Sequence, residues 1–597
     1  MNPDILTAKY NDLKQKLVGD LNDKGFWTGR LSTSALSTAV AIVALKTAGD
    51  KNDNDRIENG FRWILNKINP DGGYGDTTGS VSNVSTTLLC YAAVSFCHKD
   101  KSGVSSLVSM ERWLEGKGIA INPDTITRSV LKFYGKDYTF SIPILSMLNL
   151  CGVIPDSALR KIPMLPFELT LLPASFYRFF NLRVVSYALP ALIGVGIYIH
   201  RKRSGQRLSF RNKFVKPAIK KLDDLLPESG GFLEAIPLTG FVAMCLHASG
   251  EIQNITVKKG IQFLRNTQRN DGGWPIDTDL SSWVTTLSIK ALGSDIVNLL
   301  TEQQLSLLRS HLLKLQYKSV HPFNNAGPGG WGWTSFTGSV PDADDTPGAI
   351  LALLQLYTGK NEEREAILNG CKWLIRLQNN DGGFPTFCRG WGRLPFDSSC
   401  ADLTGHAVCA LVKTTEKLGG NIDRDTKAGL NKCLEKAVGY LEKKQSTDGS
   451  WLPLWFGNQN TKEQTNPVYG TSKVCTYLND CVSARCPGEV YKDRITLMIE
   501  SAREYLLLQQ NSDGSWGGEK GIRGTIEETS LAICALSGHE RDACLEGFEW
   551  LAKQTDLKPA PIGLYFALLW YDEKLYPVIY YTEALRRFLG AHFDSAQ

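Results

Sequence analysis

No run in this chain is long and apolar enough to read as a membrane-spanning helix. The apolar stretch "VVSYALPALIGVGIYI" covers residues 184–199, only 16 residues, and is interrupted by Pro190, Gly194 and Gly196. A spanning helix needs ~20 apolar residues. The N-terminal "MNPDILTAKYNDLKQKL" lacks the apolar core of a secretory signal. The 14 cysteines run from Cys90 to Cys544 without a Cys-x-x-Cys pair, Cys481 and Cys486 being the tightest spacing. A reducing cytosol with free, mostly buried thiols is therefore expected. There is no long basic tract interleaved with aromatics, and the net charge is only +5 over 597 residues. Nucleic acid is accordingly not an expected partner.

What the chain has is a globular composition, 43% hydrophobic and 21% charged, at a length beyond one core. It also repeats itself. The unit reads "NGFRWILNKINPDGGYG" (59–75), "KGIQFLRNTQRNDGGWP" (259–275), "NGCKWLIRLQNNDGGFP" (369–385), "KAVGYLEKKQSTDGSWLP" (436–453) and "SAREYLLLQQNSDGSWGG" (501–518), with a degenerate copy from Glu546. Each copy has apolar residues at helical spacing, then an Asp-Gly turn, then an aromatic. Most are followed by a second apolar helix such as "SSWVTTLSIKAL" or "EETSLAICAL". An array of helical hairpins follows, each needing its neighbours to bury its faces. Gln268, Gln378, Gln445 and Gln510 precede the turns and are placed to tie hairpin to helix end. Trp274, Trp451 and Trp516 read as packing residues between hairpins.

One segment, "VPDADDTPGAI" (340–350), crowds Asp342, Asp344 and Asp345 ahead of an apolar run. Helix capping by Asp345 or Thr346, with Pro347 near the first helical position, accounts for one side chain. Two carboxylates remain. A calcium loop would need a glycine and a distal bidentate Glu that are missing. A magnesium site for a diphosphate would want a second acidic cluster. The third option is a shared proton: neighbouring carboxylates cannot all ionise, so one remains a Brønsted acid. Trp331, Trp333 and Phe336 lie just upstream. Aromatic faces stabilise cations without attacking them, so acid and aromatics together suit alkene protonation followed by carbocation chemistry.

These residues resemble a family. Repeats ending in Q-x-x-D-G-x-W, with "DADDTP" where the family has DxDDTA, are similar to the squalene–hopene cyclases, class II triterpene cyclases, over nearly the whole chain. The resemblance implies an all-α protein of two α/α barrels, each a toroid of six helix pairs. Residues 270–597 would form the catalytic barrel, joined by a helix within residues 1–24, and residues 25–265 an inserted second barrel. It implies Asp344 as proton donor, Asp342 and Asp345 as flanking carboxylates, a cationic His406 as the donor's partner, Asp402 as support for His406, and Tyr469 near the water that reprotonates the acid. It implies Phe387, Cys388 and Trp391 at a substrate channel and Trp283, Trp331, Trp333 and Trp455 as cavity walls. Tyr565 and Phe566 would contact late cations. The substrate would be a long linear polyprenoid, squalene first, cyclised without metal or organic cofactor. A prenyl-diphosphate cyclase and a non-catalytic lipid-binding barrel are the alternatives. The family's apolar plateau corresponds to the region ending at residue 199, where "HRKRSGQRLSFRNKFVKPAIKK" follows. An apolar patch beside a basic run suits one leaflet of an anionic bilayer, so a monotopic protein on the cytoplasmic face of the cell membrane, as a homodimer or alone, is expected. Two features depart from the family: Pro347 replaces the usual Ala, and the C-terminal "PIGLYFALLWYDEKLYPVIYY" matches loosely.

Overall fold

A computed structural model describes residues 2–97, 101–135, 138–182, 185–204, 210–483, 489–564 and 569–593. Six helices close a ring: α1 (Ser281–Leu292), α2 (Asp345–Gln355), α3 (Ala401–Leu418), α4 (Pro467–Val482), α5 (Ile526–Leu536) and α6 (Tyr576–His592), with α6 packed back against α1. These helices are apolar nearly all round; every residue of α5 is buried, as a helix without a polar face must be. An outer layer of amphipathic helices covers them, for example Asn361–Leu377 and Arg424–Lys444. The outer layer is completed by the N-terminal helix Pro3–Gly19, which lies against α6 with Leu6, Leu13 and Leu17 in the core.

The second hydrophobic core is built mainly from residues 35–264 and also takes in Trp274, Phe323, Val340 and Cys388. Its inner ring differs from the expected six. Among the described residues it closes with five helices: Ala35–Ala48, Val84–Cys97, Tyr138–Leu150, Val185–Ser204 and Ile236–Ala248. The reason is local. Residues 156–182 fold into short pieces, the four-residue helix Asp156–Leu159 and the single-turn Phe167–Leu171 among them, and supply no further hairpin. The ladder of Thr33–Ser34 with Trp274–Pro275 closes within the second ring, and the two rings meet where the backbone N–H of Ser32 donates to the carbonyl of Asp572 and that of Trp570 to Asp76.

The repeat is a hydrogen-bonding device. Each glutamine spends both amide hydrogens: Gln378 Nε2 donates to the carbonyl of Gly382, closing its own turn, and to that of Cys433 on the next outer helix, both at 2.8 Å. Gln268, Gln445 and Gln510 do the same, to Arg56, Met498 and Ala543 across the hairpin boundary. Each turn's tryptophan donates its indole N–H back to the preceding helix, Trp274 to Leu264, Trp451 to Leu441 and Trp516 to Leu506. A Thr hydroxyl on the following inner helix receives the tryptophan's backbone N–H, as Thr471 does for Trp451.

The same signature exposes two hairpins that the sequence pattern hides. Gln316 donates to Gly329 and Ala366, and Trp331 donates to Leu312, across a turn expanded to residues 317–330. Trp27 donates to Leu17, and its backbone N–H reaches Thr285 on α1. Trp331, expected as a cavity wall, therefore occupies a packing position between helices. The outer helix makes room for it at Gly370, where a Cβ would come within 2.8 Å of the indole.

Gln378→Leu would leave two buried carbonyls without partners. It is expected to lower the free energy of unfolding by about 2–4 kcal/mol, measured as a reduced denaturant midpoint.

Candidate active site

The first turns of the six inner helices meet at one mouth of the ring. The start of α2 brings the three aspartates there. Asp342 Oδ1 accepts the backbone N–H groups of Asp344 at 2.8 Å and Asp345 at 2.7 Å. The capping role expected of Asp345 or Thr346 thus belongs to Asp342, because only the residue upstream of the turn can face two outward amides. Thr346 instead receives the backbone N–H of Trp331 at 3.0 Å. Asp342 and Asp345 are only 3% and 4% exposed, whereas one-fifth of the Asp344 side chain is accessible.

Burial pushes all three carboxyls above the ordinary carboxylate range. Asp342 and Asp345 also face one another. Asp345 keeps its proton, having no backbone donors to stabilise a charge, while Asp342 has two. Asp344 is raised to about 6 by burial, with Lys473 and Lys290 pulling in the opposite direction.

His406, on α3, places Nδ1 3.2 Å from Asp344 Oδ1. It was expected to be cationic. Its pKa lies well below the usual value, because the ring is buried and because Lys473 and Lys290 stand nearby. The imidazole is neutral. It stacks on Tyr477 at 4.5 Å and meets Trp283 edge-on at 6.1 Å. Asp402, expected to support His406, instead accepts a hydrogen bond from the Cys400 thiol. It sits in the first turn of α3, beside the strand Ser399–Cys400, and this position directs it there.

Aromatic rings surround the acid. Trp283 donates to the Tyr576 hydroxyl at 3.1 Å, and Tyr576 and Tyr571 hydroxyls are 3.3 Å apart. Phe387 lies 5.6 Å from Trp455 and 6.1 Å from Trp333, both edge-on. Trp455 is fixed by a hydrogen bond to Thr386. Tyr187, from the second ring, stacks on Phe396 at 5.1 Å and packs on Phe387 at 5.0 Å. Tyr469 is buried against Phe456 at 4.9 Å. Of the expected channel residues, Phe387 and Cys388 line an open pocket of about 500 Å³ with Asn324, Arg376 and Arg389. Trp391 does not join them: it is 57% exposed on the following loop, under Arg393. Tyr565 and Phe566 lie outside the described residues.

Sequence reading passed over Tyr187, Phe396, Tyr477, Tyr576, Tyr580 and Lys473. The one available signal was for Lys473: in "VYGTSKVCTYL" a lysine has tyrosines four residues to either side on an apolar helix, which turns it inward. Behind His406 the opposite mouth of the ring opens as a pocket of about 660 Å³, lined by Lys290, Lys413, Lys417, Arg586 and Arg587. Cations there match the partial negative charge of helix C-termini. Among the described residues no group of three His, Cys, Asp or Glu side chains is arranged for a metal ion.

Two family models match the chain: the squalene-hopene cyclase N-terminal domain over residues 11–206 and the squalene-hopene cyclase C-terminal domain over residues 281–558. The squalene–hopene cyclase of Alicyclobacillus acidocaldarius is 22% identical over 522 residues, 76% of each chain. Enfumafungin synthase efuA of Hormonema carpetanum is 22% identical over 85% of this chain and 42% of its own. The terpene cyclase-glycosyl transferase fusion protein fsoA of Humicola fuscoatra is 27% identical over 53% of this chain and 25% of its own. The chain thus spans less than half the length of the latter two. Among solved structures, the ent-copalyl diphosphate synthase from Streptomyces platensis has the same fold, with a TM-score of 0.60 at 17% identity over 98% of this chain and 99% of that one.

The folded protein holds a proton on Asp345 that the unfolded chain releases above its ordinary value of 3.8. Native protein therefore binds more protons, and stability falls as pH climbs from there. The thermal midpoint of the parent is expected to drop more steeply between about pH 5 and 7 than that of Asp345→Asn, which mimics the protonated carboxyl.

Proposed function

Because the chain belongs to the squalene–hopene cyclase family, we propose that it cyclises a long linear polyprenoid by protonating a terminal alkene from Asp344, squalene being the first candidate. The observation that carries this reading is the asymmetry among the aspartates. Only Asp344 is appreciably accessible, and its neutral histidine partner stands among aromatic faces. With His406 neutral, its Nδ1–H donates to Oδ1 and leaves Oδ2 to carry the acid proton. That proton bonds to the terminal alkene carbon using the π electron pair, the O–H pair stays on the carboxylate, and a tertiary cation results. The ring faces of Trp283, Phe387 and Trp455 attract the migrating cation, each by up to ~2 kcal/mol when desolvated, and exclude water that would trap it.

A prenyl diphosphate is the second reading. Arg376 and Arg389 at the pocket beside Phe387 and Cys388 favour it, since guanidinium groups suit phosphate oxygens.

Association with one membrane leaflet belongs to the same proposal. Phe179 and Phe210 are 84% and 70% exposed, Phe180 packs against both Phe176 and Phe179, and Lys213 lies over Phe210. No helix among the described residues is long and apolar enough to cross a membrane.

Purified protein incubated separately with squalene, oxidosqualene, a C35 polyprene and geranylgeranyl diphosphate is expected to give a cyclic isomer of squalene by gas chromatography–mass spectrometry. Asp344→Asn should reduce turnover roughly 10²- to 10⁴-fold; full activity in that variant rules the acid out. Turnover of the diphosphate alone selects the second reading. In flotation assays the parent is expected to rise with phosphatidylglycerol-containing vesicles and the Phe179→Ser/Phe210→Ser variant to stay behind.

A further inference from the structure

Lys473 is a buried cation without a counter-ion. The residue is 3% exposed, and its ammonium has no hydrogen-bond partner. What surrounds it is aromatic: Nζ lies 5.2 Å from the ring centre of Tyr477, 5.5 Å from Trp283, and 5.9 Å from both Tyr469 and Tyr580. Those rings come from α1, α4 and α6. A charge taken out of water without compensation costs several kcal/mol, so four ring faces are a specific accommodation.

The neighbouring charges fall into two sets. On α1 and α6, Lys290 is paired with Glu583 at 3.0 Å, and Glu583 also takes Arg587, which holds Asp480 of α4. That network is closed on itself. One ring stack leads from Lys473 to Asp344 at the start of α2: Tyr477, 5.2 Å from Nζ, stacks on His406 at 4.5 Å, and His406 Nδ1 stands 3.2 Å from Asp344 Oδ1. Asp344 and Asp402 on α3 both feel the lysine's charge. Asp402 already takes the Cys400 thiol. His406 on α3 is neutral, and the hydroxyls of Tyr469, Tyr477 and Tyr580 carry no charge at ordinary pH, all three titrating well above the usual phenol. Of these two carboxyls Asp344 is the one that contacts His406 at the ring stack; Asp402, held by the Cys400 thiol, shares the field of Lys473.

We propose that Lys473 is the positioning cation that makes Asp344 a strong enough acid to protonate an alkene, the role the sequence reading assigned to a charged His406. The inference rests on the acid reading of Asp344 given above. When Asp344 gives up its proton, a carboxylate appears among aromatic faces. A lysine locked in a salt bridge would have its field largely cancelled by its partner. A lysine held by ring faces keeps it, and stabilises the carboxylate as it forms. Lys473 itself titrates at about 8, lowered first by burial and then by Lys290, so it is charged where Asp344 works.

The test is the titration of the Asp344 carboxyl, read by difference infrared spectroscopy as the C=O band missing from Asp344→Asn, in parent, Lys473→Met, Lys473→Gln and Lys473→Arg proteins. Removing the charge is expected to raise the Asp344 midpoint by about one pH unit or more, and Lys473→Arg to leave it near the parent value. In turnover, the neutral variants should lose about tenfold or more in kcat with KM little changed, while the alkaline limb of the pH profile moves up by the same interval. An unmoved midpoint in a folded neutral variant overturns the proposal. So does the failure of both neutral variants to fold, since the charge would then serve the fold. The infrared titration needs no substrate. A parent that cyclises none of the polyprenoids would count against the acid reading while leaving the effect of Lys473 on Asp344 measurable.

Discussion

The site depends on two backbone amides donating to one carboxylate. Asp342 Oδ1 collects the N–H groups of Asp344 and Asp345, and those bonds fix the turn that starts α2. The turn in turn decides which aspartate faces inward with accessible surface and which is sealed. Without it the three carboxyls would be equivalent candidates for the proton. With it, Asp342 is committed to the backbone, Asp345 is buried and protonated, and Asp344 reaches toward His406. The division of labour among chemically identical groups is made by main-chain geometry.

A second constraint acts on the same groups. The N-terminal ends of the inner helices meet at the acid, and helix N-termini carry partial positive charge. That field favours the carboxylate over the acid. Burial in an aromatic surround favours the acid over the carboxylate. For Asp344 burial outweighs the opposing pull of Lys473 and Lys290 and raises the carboxyl to about 6: high enough to hold a proton, low enough to part with it. The opposite mouth, where helix C-termini gather, carries the basic residues instead.

The hairpin array was legible because its bonding is local and periodic. Glutamine, Asp-Gly and aromatic stand at near-fixed spacing, and the structure gives Gln268, Gln378, Gln445 and Gln510 and Trp274, Trp451 and Trp516 the same bonds from copy to copy. Gln316 and Trp331 make the same bonds, but residues 317–330 separate them and hide the pattern, and the family resemblance implied a cavity wall at Trp331. The count of inner helices in the second ring was not legible either, since residues 138–204 carry no copy of the motif and their packing is set by distant partners. At the site, the aspartates stood out as a cluster, and His406 was reached through the family resemblance. The charge on His406 was not legible, because it follows first from burial of the ring and then from Lys473 and Lys290, which other helices bring beside it. A lysine in sequence reads as a surface residue, and only the rings from three helices make Lys473 an interior one.

The outer position filled by Pro3–Gly19 has a consequence in time as well as in space. That helix is synthesised before either ring, yet the surface it covers belongs to α6, which is made after all the other inner helices. Until α6 has been made, the six-membered ring has a gap and the helix Pro3–Gly19 lacks the surface it packs on. Closure joins two helices far apart in sequence, the kind of long-range contact that slows folding and prolongs exposure of unpaired apolar surface. A ring also has no terminal repeat to fray. Once shut, it offers unfolding no free end at which to begin.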